Sequence, residues 1–155
     1  MIKLIKILNE AKQVGTIYHF TSNLSAINIA RGNKLTPTRH PELNPTTNKK
    51  EHYISFTRNK GFRKVARVGI DLDVVFVVDG NKLSNKYKIK PFDFYKKSPQ
   101  IAAVALTYDE DEERIWTNKP IENFNTYVKE VWIYAPETEV VDKLKKQFKN
   151  IKIIK

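Results

Sequence analysis

Cysteine is absent from this 155-residue, 18.1 kDa chain, and that excludes a disulfide framework, a thiolate zinc cluster, an iron–sulfur centre and a cysteine nucleophile together. Histidine is scarce. His19, His40 and His52 stand too far apart for the i, i+4 pair of a helical zinc site, so a metalloenzyme is not expected, while a carboxylate-bound ion stays open. Glycine is scarce too, and its 5 residues form neither GxGxxG nor GxxxxGK(S/T), which argues against a Rossmann dehydrogenase and a P-loop NTPase. A Ser/His/Asp hydrolase drawn from Ser55, His19 and Asp109 would lack the glycines that flank a nucleophile elbow. No apolar run approaches the ~18 residues of a membrane span. The opening MIKLIKILNEAKQ mixes lysine with apolar residues instead of forming a signal-peptide core. No membrane partner is expected, and the expected location is a cytoplasm.

Positive charge is plentiful. Lys+Arg number 28 against 17 Asp+Glu, a formal charge of +11 with a pI near 9.7, and such a surplus attracts nucleic acids, anionic nucleotides or acidic proteins. With 41% hydrophobic and 11% aromatic residues the chain can build an ordinary core without staples. A single domain over 1–155, acting as a monomer, is the expectation.

Periodicity supplies the elements. Residues 2–13 read as an amphipathic helix ended near Gly15, and 16–20 as a strand. Thr21 and Ser22 offer caps to a helix over 23–31, with Leu24 and Ile27 inward and Gly32 as its stop. Residues 36–51 contain three prolines and no periodicity, which predicts a long loop of the kind that serves as a lid. Strict alternation over 52–57 puts Ile54 and Phe56 on one side and Tyr53, Ser55 and Thr57 on the other. The apolar run 74–78 reads as a doubly covered strand ending at a turn, Asp79-Gly80. A short strand is expected at 87–89, whereas 99–106 fits a helix or a strand equally. Five adjacent carboxylates, Asp109 to Glu113, form the acidic spot of a basic chain. A helix at 121–127, a strand at 128–135, a helix at 137–149 and a strand at 151–154 complete an α+β pattern.

Three polar groups sit where catalytic groups tend to sit. His19, in YHFTS, ends a strand directly before a helix N-terminus. Ser55 and Thr57, in YISFTR, share a strand face with Tyr53. The carboxylates of DEDEERIW repel one another, which raises the pKa of a member that is partly buried. In this order the three motifs resemble the ADP-ribosyltransferase fold family, in particular its small phage- or bacteria-encoded members, over about residues 17–132. The resemblance implies a split pair of small β-sheets with flanking helices around a nicotinamide cleft, NAD as the cofactor, and transfer of ADP-ribose to a macromolecular acceptor, protein or nucleic acid.

Carried over residue by residue, the resemblance implies that His19 bonds the nicotinamide-side ribose while the backbone around Phe20 pairs with the carboxamide. Thr21 and Ser22 would stand near phosphate or ribose. Ser55, with Thr57 beside it, would support the catalytic Glu, Tyr53 or Phe56 would wall the nicotinamide ring, and Arg58 would meet a phosphate. Glu113, at the start of ERIW and preceded by Asp111, is the first choice for the carboxylate that stabilises the developing cation. Glu110-x-Glu112 is the alternative, and a one-residue shift reverses the strand face, so both cannot hold. His19 stands where the arginine-directed subgroup has Arg, so the acceptor stays open. In a host cell infected by a phage, the host cytoplasm would be the place of action.

Two readings compete. In a non-catalytic basic nucleic-acid-binding module, Arg58, Lys60, Arg63, Lys64 and Arg67 would contact phosphates and Tyr53 or Phe62 would stack on bases. In an inactive partner-binding relative, the surface around Trp116 and Trp132 would be the interface.

Overall fold

The computed structural model describes residues 14–65, 72–92 and 112–155. The expected helix at 2–13, the stretch 99–106, and Arg67, Asp109, Glu110 and Asp111 lie outside the described residues. The elements run β1 (Thr16–Thr21), α1 (Asn23–Gly32), β2 (Lys34–Leu35), β3 (Glu42–Asn44), β4 (Lys49–Glu51), β5 (Tyr53–Thr57), α2 (Phe62–Val65), β6 (Val74–Asp79) and α3 (Gly80–Ser84). After these come β7 (Lys90–Pro91), β8 (Glu112–Trp116), β9 (Ile121–Glu122), a 3-10 turn (Phe124–Thr126), β10 (Val128–Ile133), α4 (Thr138–Gln147) and β11 (Ile151–Ile153). The architecture is α+β.

Among the described residues, seven strands form one sheet in the order β11-β10-β6-β1-β5-β8-β7, antiparallel except for the β10–β11 pair. The expected apolar run is its central strand: Val74 to Val78 are all buried because both faces of β6 are covered. On one face Ile17, Phe76, Val131 and Ile133 meet Val140, Leu144 and Phe148 of the α4 segment, whose i, i+4, i+8 spacing makes one apolar stripe. Each such side chain contributes about 1.5–3 kcal/mol by leaving water.

The sheet has one weak seam. β1 pairs with β6 along its whole length, Thr16 with Asp79 through Thr21 with Val74, but with β5 only at Tyr18 and Thr57. The strands diverge beyond that point, so β11-β10-β6-β1 and β5-β8-β7 hold together at a single main-chain register.

Several expectations are corrected. Ser22 does cap α1, accepting from Ser25 N–H, but Leu24 points outward at 70% exposure, and Ile27 lies inward with Ala26, Ile29 and Ala30. The left-handed stop is Asn33 (φ 47), not Gly32, because its side chain also bonds the Asn125 amide and carbonyl groups. The loop 36–51 contains the β3–β4 hairpin: Pro45 sits in its connection, and the left-handed Asn48 (φ 57) closes it through its N–H on Asn44 O. The strand expected at 87–89 falls at Lys90–Pro91, where an edge position tolerates a missing N–H. Residues 121–127 form a two-residue strand and a 3-10 turn instead of one helix.

Asp79-Gly80 is not a turn but the start of α3, with the Asp79 carboxylate accepting from Lys82 N–H. Gly80 N–H donates to Gly15 O at 2.8 Å. A Cβ on Gly80 would lie 2.5 Å from that oxygen and 2.7 Å from a Val14 methyl, and backbone cannot yield as a side chain can. Gly80→Ala is expected to lose about 1–3 kcal/mol in urea unfolding, as overpacking does; an unchanged midpoint would contradict this close approach.

Candidate functional site

Antiparallel strands bond through alternate residues, and this decides what the seam exposes. The Gly80–Gly15 bond puts Ile17, His19 and Thr21 among the residues whose peptide groups face β6, so those of Tyr18 and Phe20 face β5. On the other side, Thr117 N–H donates to His52 O, which turns the peptide groups of Ile54 and Phe56 to β8 and those of Ser55 toward β1. Where the strands part, the peptide edges of Phe20 and Ser55 therefore face one gap. His19 spans it. Its Nδ1 lies 2.9 Å from the Ser55 carbonyl oxygen, which can only accept, so Nδ1 carries the proton and Nε2 of the neutral ring is an acceptor. The imidazole packs edge-on against Phe56 at 5.8 Å between centroids and near Phe76. Burial lowers its pKa, against the opposing pull of the Ser55 bond.

The gap opens into a cleft of about 190 Å³ lined by Tyr18, His19, Phe20, Ser55, Phe56, Thr57, Phe62 and Glu112. A second hollow of about 320 Å³ shares His19 and continues past Thr21, Ser25 and Asn28 to Lys34 and Thr36.

The pleat decides which carboxylate belongs to the cleft. Ser55 stands opposite Arg114, Phe56 opposite Glu113 and Thr57 opposite Glu112, so Glu112 shares the face of Ser55 and Thr57 while Glu113 shares that of Phe56. Ser55 Oγ donates to Glu112 Oε1 at 2.7 Å. Glu113, the first choice from sequence, is 4% exposed and takes Arg58 Nε at 2.5 Å on the opposite face. Arg58 also donates to Val14 O, so the structure places it with Glu113 and not at the cleft. Tyr53 is likewise drawn away: its hydroxyl donates to Glu42 at 2.7 Å, and burial, reinforced by that bond, pushes its pKa up. Ser22 is occupied as the α1 cap.

Arg114 holds the cleft carboxylate. It is 3% exposed, with its guanidinium 3.7 Å from the Tyr53 ring and 3.5 Å from the Phe92 ring. Its Nε donates to Glu112 Oε1 at 2.6 Å, its Nη2 to Oε2 at 3.3 Å and its Nη1 to Glu42 at 2.8 Å. Burial opposes the charge, but the two carboxylates outweigh it and raise the pKa.

No protein-family model, curated protein or solved structure matches this chain. The site must therefore be read from its chemistry. A carboxylate fixed by a forked guanidinium and a serine is aimed into an aromatic-walled cleft, beside a neutral imidazole acceptor and two peptide edges. Chemically, such an arrangement can hydrogen-bond a planar amide and hydroxyls, and a carboxylate held in this way can stabilise nearby positive charge.

The lowered His19 pKa makes stability depend on pH. The unfolded chain takes up a proton on its His near pH 6.5 while the folded ring resists it, so stability present above that pH is lost as the pH falls. His19→Gln should flatten the decline between about pH 7 and pH 5, by up to ~1.4 kcal/mol per pH unit, in urea melts at the two pH values. Equal slopes in both proteins would refute the neutral ring.

Proposed function

We propose that the protein is an NAD-dependent mono-ADP-ribosyltransferase that releases nicotinamide and passes ADP-ribose to a macromolecular acceptor. The observation that carries this reading is the seam: His19, the Phe20 peptide edge, Ser55 and Glu112 converge on one cleft because β1 and β5 part after Tyr18 and Thr57. It also supports the finer description of the fold as a split pair of sheets around a nicotinamide cleft.

The donor set fits the dinucleotide. The Phe20 N–H and C=O present the donor and acceptor that a carboxamide complements, and Phe20, Phe56 and Phe62 supply walls for a flat ring. Neutral His19 offers Nε2 to a ribose hydroxyl. Thr21, Ser25, Asn28 and Lys34 line the adjoining hollow with groups suited to hydroxyls and phosphate. NAD supplies a C1′–N bond whose electron pair leaves with the neutral nicotinamide, after which an acceptor nucleophile bonds C1′ and gives up its proton. Glu112 faces the positive charge that builds on the ribose, and Ser55 and Arg114 prevent it from turning away.

Removing that charge tests the reading. Glu112→Gln should lower nicotinamide release from NAD by about 10²–10³-fold, the usual loss for one electrostatic stabiliser, with the fold retained by circular dichroism. Glu113→Gln should leave turnover within a few-fold while weakening the fold, because it removes the charge of a buried carboxylate paired with the exposed Arg58. The opposite pattern, or no release by the parent protein with any acceptor, would sink the assignment.

A further inference from the structure

The cleft opens onto one face of the sheet, and that face is aromatic. Tyr18 and Phe20 project from β1 on the side opposite Ile17 and His19. The Tyr18 and Trp132 rings meet at 5.7 Å from strands on either side of β6, above Val75 and Val77. Phe62 closes against Phe20 edge-on at 5.4 Å. It is held there by a turn in which Asn59 O accepts from Phe62 N–H and Asn59 Oδ1 from Gly61 N–H. Arg63 follows, its guanidinium 4.5 Å from the Tyr134 ring centre and its Nε donating to Leu72 O.

Cations border these rings. Lys60, Arg63, Lys129 and Lys152 are exposed, and the Lys129 ammonium reaches Thr16 of β1 on the same face. One carboxylate among them, Glu130, is already matched: Lys152 bonds one oxygen and the Trp132 indole N–H the other. Lys60 and Arg63 thus flank Phe62, which stands in the wall of the cleft.

We infer that this face docks a single-stranded nucleic acid, whose bases stack on Trp132, Tyr18 and Phe62 and whose phosphates meet Lys60, Arg63, Lys129 and Lys152, leading one nucleotide to the cleft as acceptor. Flat rings alternating with cations suit bases joined by phosphates. An acidic peptide would satisfy the cations and leave the rings in water. The inference rests on the transferase reading for the acceptor role alone.

The test omits NAD. A labelled oligothymidylate of about a dozen nucleotides, and its oligouridylate counterpart, are titrated by anisotropy across salt. Four phosphate contacts predict a log–log salt slope of about −3, and Lys60→Glu with Arg63→Glu should reduce it to about half or less. Trp132→Leu should weaken binding about tenfold, and in Trp116→Phe the remaining indole, Trp132, should be quenched on binding. Because Trp132 also roofs the sheet, the charge reversals on the exposed turn serve as the variant that leaves the core alone.

No binding, binding indifferent to these changes, or displacement by polyglutamate as effective as by oligonucleotide would overturn the inference, the last in favour of an acidic protein. The DNA and RNA arms separate the two strand chemistries. Oligonucleotide binding without NAD cleavage would remove the transferase reading and keep the surface; cleavage without binding would do the reverse.

Discussion

In a continuous sheet the Ser55 carbonyl would take its hydrogen from the next strand; here it takes it from the His19 ring. Spacing follows from that substitution. An imidazole is wider than a peptide bond, so β1 and β5 part after Tyr18 and Thr57, and the Phe20 peptide edge faces a cleft instead of a partner strand. The same bond fixes the tautomer and leaves Nε2 as the unprotonated nitrogen, while burial favours the neutral ring. Cleft width and tautomer both follow from one side-chain-to-main-chain contact. The cost is a seam that side chains must hold together.

Arg114 supplies much of that hold on the β5-β8-β7 side. A guanidinium 3% exposed is tolerable because two rings cover its faces and two carboxylates meet its edge. One of those carboxylates belongs to the cleft and the other, Glu42, to the β3–β4 hairpin, which is thereby tied to the site it neighbours. Orientation of Glu112 depends on this framework, since Ser55 reaches only one of its oxygens and Arg114 reaches both. Glu113 serves the other face, where pairing with Arg58 allows a carboxylate to stand beside Phe56.

How much of this could be read from sequence depended on whether a feature was local. β1, β5, β6 and β10 were legible because alternation or an unbroken apolar run reports covered faces directly, and α1 and α4 because their spacing repeats near 3.6. The hairpin was hidden by Pro41 and Pro45, which mark turns whether or not short strands lie between them. Leu24 was misplaced because a first-turn residue can leave the stripe that Ala26, Ile27, Ile29 and Ala30 complete. His19 and Ser55, singled out by their places on the strands and by the resemblance, both line the cleft. The choice between Glu112 and Glu113 was not legible, because it rests on the β5–β8 register, a long-range fact. Arg114 carried no signal: an arginine among acidic residues looks like surface until Tyr53 and Phe92 are seen to enclose it.

The two faces of β1 divide the work between stability and exposure. Ile17 and Thr21 face the helices and bury, with His19 half-buried between them, so their side chains are constrained by packing. Tyr18 and Phe20 face the other way, and yet they too are tied down, Tyr18 by Trp132 and Phe20 by Phe62. A ring that shields Val75 or Val77 while keeping one face in water loses little further entropy when something stacks on it. Sheet stability and the proposed docking surface would therefore be served by the same side chains. Smaller apolar residues would cover the valines equally well but present no flat ring.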